Sequence, residues 1–156
     1  QNHPNFLGKF GYKHGVFFAG GAASSKFGFP HEEMTDEEMA EAIKLYCHVK
    51  PEIVVTHCQP TSIQQYMNST HKASRTTDML EQMWQVHAPH VWACGHYHCG
   101  DDEVIDGCDF IQVAPLQSRQ IRLGWVKGVS ETQRNSKPME MTTSKAINGF
   151  LSKLIP

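Results

Sequence analysis

The chain has 156 residues, 40% of them apolar and 19% charged, with a formal charge of −2. That balance suits one soluble globular domain and excludes a disordered tail, a helical membrane span (no run of about 18 apolar residues occurs) and a dedicated nucleic-acid binder, which would carry a basic patch. Five cysteines are too few for a disulfide scaffold, so the expected compartment is reducing and cytoplasmic, while ten histidines hint at metal chemistry.

Residues 15–21 read as a short buried strand closed by a glycine turn, and 22–30 as a loop. Thr35 and Glu38 have capping-box spacing, with Asp36 and Glu37 at the positive helix end. The helix they start presents Met39, Ile43 and Tyr46, with Cys47, as its apolar face through about His48. Ile53-Val54-Val55 is a β-branched run predicted to be a buried strand with His57 at its carboxyl end. Residues 61–72 are polar and expected to form an excursion loop. A second helix is expected from Ser74, with Met79, Leu80, Met83, Trp84 and His87 facing inward, and Pro89 ends it. Val91-Trp92-Ala93-Cys94 follows as a strand running into Gly95-His96-Tyr97-His98. Two β-rich runs around Asp106-Gly107 predict a hairpin. A strand is expected over 121–126, then a linker and a short amphipathic helix carrying Ala146, Phe150 and Leu154. The sum is an α/β chain turning into an antiparallel edge, with a main domain over 1–128 and a tail over 129–156.

Chemistry concentrates at two strand ends. In Gly95-His96-Tyr97-His98, two imidazoles one residue apart converge if the backbone turns, and Gly95 is expected to permit the turn. The same pair also fits two loop histidines that bind nothing. Open α/β sheets bind ligands beyond the carboxyl ends of their strands, which would gather His57, His96 and His98 on one rim. Neutral imidazoles there suit zinc, iron and related metals. A closed Cys2His2 site using Cys94 and Cys99 is disfavoured, because His96 and His98 stand closer than structural zinc pairs do. Cys47, Cys58 and Cys94 are expected to be buried, inert thiols. Trp84, Trp92 and Trp125 are expected in the core, and Lys72 and Arg75 on the solvated surface, the alternative being contact with a substrate phosphate.

Residues 51–57, 91–98 and 104–107, in that order, resemble the C-terminal half of the calcineurin-like metallophosphoesterases, with a strand-end histidine, a Gly-His-x-His loop and a hairpin. The stretch 17–22 is similar to that family's strand and glycine turn, and Asn2-His3 to the core of its Asn-His motif, with Gln1 and Pro4 in place of the usual glycine and acid. The resemblance implies a layered β-sandwich flanked by helices and a two-metal centre of manganese, iron or zinc. By position, Asn2, His57 and His96 would hold one metal, His98 the other, and His3 would be the catalytic acid or stabilise developing charge. Two such cations polarise a phosphoryl oxygen and activate water, so the implied activity is hydrolysis of phosphate esters of unspecified identity.

The chain departs from that pattern in lacking an Asp-x-His and a bridging Gly-Asp ahead of Asn-His. The expectation is therefore a fragment without its N-terminal strands, with weak metal binding and poor turnover. The strand over 15–21 would then be an exposed edge prone to self-association. Two function classes follow: a metal-dependent phosphoesterase, and a non-catalytic relative serving in binding or assembly.

Overall fold

The computed structural model describes residues 6–21, 33–68 and 70–121. Asn2, His3, the loop over 22–30, Trp125 and the tail over 129–156 lie outside the described residues, as does the strand expected from Ile121 beyond its first residue.

The described residues form a mixed α/β structure. Its strands are β1 (Phe10–Lys13), β2 (Val16–Ala19), β3 (Ile53–Thr56), β4 (Val91–Cys94), β5 (Asp102–Ile105) and β6 (Cys108–Gln112), and its helices are α1 (Asp36–Val49), α2 (Thr61–Met67) and α3 (Arg75–Val86). They build a six-stranded sheet ordered β1-β2-β3-β4-β6-β5. Strands β2, β3, β4 and β6 run parallel, and β1 and β5 close the edges as antiparallel hairpins.

Both hairpins turn on two residues. His14 and Gly15 have φ of 53° and 83°, and Asp106 and Gly107 have φ of 50° and 80°. Paired positive φ values twist the turn with the strands, which is why an X-Gly dipeptide closes each hairpin. The Asp106-Gly107 turn follows the sequence expectation. The His14-Gly15 turn does not, and it corrects the edge assignment: Phe10–Lys13 pairs along β2, so β2 is interior.

Thr35 caps α1 through the expected box, its side chain accepting from the Glu38 amide while the Glu38 carboxylate accepts from the Thr35 amide. Ser74 and Thr77 form the corresponding box on α3. In-register pairing aligns Phe17, Val54, Trp92 and Phe110 on one face of the sheet, and all four are fully buried. Tyr46 of α1 meets Phe17 edge-on, and Trp84 of α3 meets Trp92 and Phe110. The chain steps from β2 to β3 to β4 in a single direction, and crossovers of one hand in one direction place both helices on the same face. Burying each of these large side chains is worth about 1.5–3 kcal/mol, so the aromatic row is the main source of cohesion. The opposite face carries Phe18, Val55, Ala93 and Ile111, and Val55 is 41% exposed.

The excursion loop expected over 61–72 is corrected by α2. Its inward positions are Ile63 and Gln64, both buried, and Met67, partly buried. A buried glutamine in an apolar stripe hides the helical period, and the fold tolerates it because Gln64 is hydrogen-bonded on both ends of its amide.

Candidate metal centre

The carboxyl ends of β3 and β4 are adjacent, with Thr56 opposite Cys94. The ladder continues one step, the Gly95 amide donating to the His57 carbonyl at 3.2 Å. His57 and His96 therefore leave neighbouring strands at the same rim. His57 Nε2 and His96 Nδ1 are 2.9 Å apart, sharing a hydrogen bond. Cys58 completes a group in which one ligand atom from each of His57, Cys58 and His96 lies within 4.8 Å of the others. Both histidines are exposed, and Cys58 is only 5% exposed.

The bend that brings consecutive residues 57 and 58 to one centre has a local cause. The Thr56 hydroxyl donates to the Cys58 carbonyl and accepts from the Trp92 indole N–H at 2.8 Å. The end of β3 is thereby tied to the buried aromatic row.

The turn after β4 is not made by Gly95, which has no positive φ and nothing within 4 Å of a built Cβ. His96 and His98 themselves adopt positive φ, 33° and 56°, a conformation costly for residues with a Cβ and held only by surrounding contacts. Tyr97 between them provides those contacts. Its hydroxyl donates to Gln64 Oε1 at 2.9 Å and accepts from the Gln59 amide at 3.4 Å. Gln59 and Gln112 both donate to the Met67 sulfur, and the Cys99 thiol donates to Gln112. No buried side-chain nitrogen or oxygen among the described residues lacks a partner.

His71, from the segment between α2 and α3, packs edge-on to Tyr97 and His96, with ring centroids 4.9 and 5.8 Å away. Desolvation, and then the charges of His57, His71 and His98, hold the His96 pKa below the usual imidazole value, which favours the neutral ring. Burial pushes the Cys58 thiol up to about 11 and Cys94 up to about 12.

Of the residues singled out from sequence, His57 and His96 are brought together. His98 is near enough for its charge to act on His96 but lies outside the three-residue group, and Asn2 and His3 lie outside the described residues. Arg75 is engaged elsewhere, pairing with Asp36 and Glu33. Cys58, expected to be inert, is a member of the group. The available signal was its position directly after a strand-end histidine. Nothing in the sequence marks His71.

The donor set of two imidazoles and a thiol fits a borderline-soft divalent cation, whose tetrahedral bond lengths imply ligand separations of about 3.3–3.6 Å. Fold and site together define a mixed α/β protein with a His/Cys/His group able to hold a metal ion at the carboxyl rim of its sheet. Comparison with protein-family models, curated proteins and solved structures finds no match. Among the described residues, no helix is long and apolar enough to cross a membrane.

Proposed function

We propose that this protein hydrolyses phosphate esters with the help of divalent metal, as a member of the calcineurin-like metallophosphoesterases. The observation that carries the reading is the 2.9 Å approach of His57 and His96 from the ends of adjacent parallel strands. The family's layered sandwich belongs to the same proposal: α1 and α3 cover the aromatic face of the sheet, and a second sheet against the Phe18–Ile111 side would complete it. A reducing compartment such as the cytoplasm belongs to the same proposal.

His57 and His96 would hold one cation with Asn2, and His98 would serve a second. When bound, such cations supply Lewis-acid polarisation of a phosphoryl oxygen and an activated water. The chain's own residues do the rest. The hydrogen bonds of Tyr97 orient the loop that carries His96 and His98, the depressed pKa of His96 keeps its ring neutral, and His71 borders the approach to His96. The substrate is a phosphorylated compound whose identity would be set by the surrounding loops.

The test is turnover of an aryl phosphate with added manganese, iron or zinc. Slow hydrolysis that requires metal and disappears in the His57→Gln/His96→Gln double variant is the expected result. Absence of both turnover and metal uptake after loading at neutral pH would refute it and favour a non-catalytic binding or assembly role.

A further inference from the structure

We infer that Cys58 is a direct ligand of the cation held by His57 and His96, so that these three residues share one ion and prefer zinc-class cations to manganese. This rests on the reading that the two histidines hold a metal, and it is independent of the reaction carried out there.

The ligand atoms of all three residues lie within 4.8 Å of one another. His57 and His96 stand at the solvent side and the buried Cys58 beneath them, so the sulfur is the floor of the site and the two imidazoles its rim. The bend closed by the Thr56 hydroxyl on the Cys58 carbonyl holds residues 57 and 58 towards the same point, and the indole bond of Trp92 fixes Thr56 in turn. Among the described residues no carboxylate enters the group, and the donors there are nitrogen and sulfur. Such donors favour zinc, cobalt and other thiophilic ions over manganese, which takes oxygen ligands. Three ligands from the described residues leave a fourth tetrahedral position for Asn2 of the proposed site or for a water molecule. On binding, the cation replaces the thiol proton, which leaves to solvent. The proton shared by His57 Nε2 and His96 Nδ1 moves to the other nitrogen of the ring that carried it, so both rings bind as neutral imidazoles and no electron is transferred.

Cobalt(II) reads the sulfur directly. Titration into the full chain is expected to give visible four-coordinate bands and a near-ultraviolet sulfur-to-cobalt charge-transfer band. That band should vanish in Cys58→Ser and persist in Cys47→Ser. Zinc should displace cobalt while a large excess of manganese does not, and zinc affinity should fall by about 100-fold or more in Cys58→Ser. Cobalt bound without the band, or a band that survives Cys58→Ser, overturns the role of Cys58 and leaves the histidine pair standing. No cobalt bound by the wild-type chain overturns both. X-ray absorption of the zinc-loaded wild type needs no variant: a sulfur shell at about 2.3 Å beside nitrogen at about 2.0 Å supports the assignment, and a nitrogen-and-oxygen shell alone refutes it.

Discussion

Replacing Tyr97 by phenylalanine removes one oxygen from the support of the metal-centre loop and leaves the ring that touches His71 and His96 in place. The loss is concentrated on Gln64, 2% exposed, whose Oε1 accepts the 2.9 Å bond from the Tyr97 hydroxyl. The Gln59 amide, at 3.4 Å, is a marginal donor to the same oxygen and contributes little. Leaving one buried acceptor unpaired costs about 1–3 kcal/mol. For a chain of this size that corresponds to a drop of roughly 2–12 °C in melting temperature. The loop also holds two histidines at positive φ, so loosening it should weaken cobalt binding by about tenfold or more. Thermal melts of the metal-free protein followed by near-ultraviolet circular dichroism, together with a cobalt titration, measure both effects. A Tyr97→Phe protein that melts and binds cobalt like the wild type would refute the view that this hydroxyl holds the loop.

Three further outcomes are expected. Gly107→Ala should destabilise by about 1–2 kcal/mol in urea melts, because φ of +80° is costly for alanine, whereas Gly95→Ala, with open space and no positive φ, should stay within about 0.5 kcal/mol. Phe110→Ala should cost about 3–5 kcal/mol by breaking the contacts with Trp84 and Trp92; a smaller shift in urea midpoint would mean that the aromatic row is not the centre of the core. Because the folded pKa of His96 lies below its unfolded value of about 6.5, its contribution to stability is complete above that value and is lost as pH falls through the depressed one. His96→Gln should flatten that acid-side loss in urea midpoints measured across the range, and an unchanged slope would contradict it.

Strand β3, strand β4, the Asp106-Gly107 hairpin and both capped helices were legible because their signals are local: β-branched runs, a turn dipeptide, and hydroxyl residues three positions ahead of their partners. The convergence of His57 and His96 was legible one level higher, from the rule that ligands gather at the carboxyl ends of parallel strands. What escaped depends on tertiary partners. Helix α2 hides its period because Gln64 is made compatible with burial by Tyr97, distant in sequence, and by the Lys72 carbonyl beyond the end of the helix. Strand β1 is short and half-exposed, and it owes its existence to pairing with β2. Cys58 reads as an ordinary buried thiol until the bend after Thr56 turns it to the histidines. The turn assigned to Gly95 belongs to its neighbours, His96 and His98, which the Tyr97 anchor holds at positive φ although glycine would tolerate it more readily.

The 2.9 Å between the two imidazoles is smaller than the rise of one residue along a strand, about 3.3 Å. A slip of β3 past β4 by a single position would add that rise to the gap and also turn the side chains of β3 to the opposite face of the sheet, carrying His57 away from His96. The pair acts as a gauge of strand alignment: only a chain whose central ladder is in step can present both nitrogens to one ion. Cobalt uptake would then count correctly registered molecules, distinguishing them from compact but misaligned ones that a measure of helix content would score as folded.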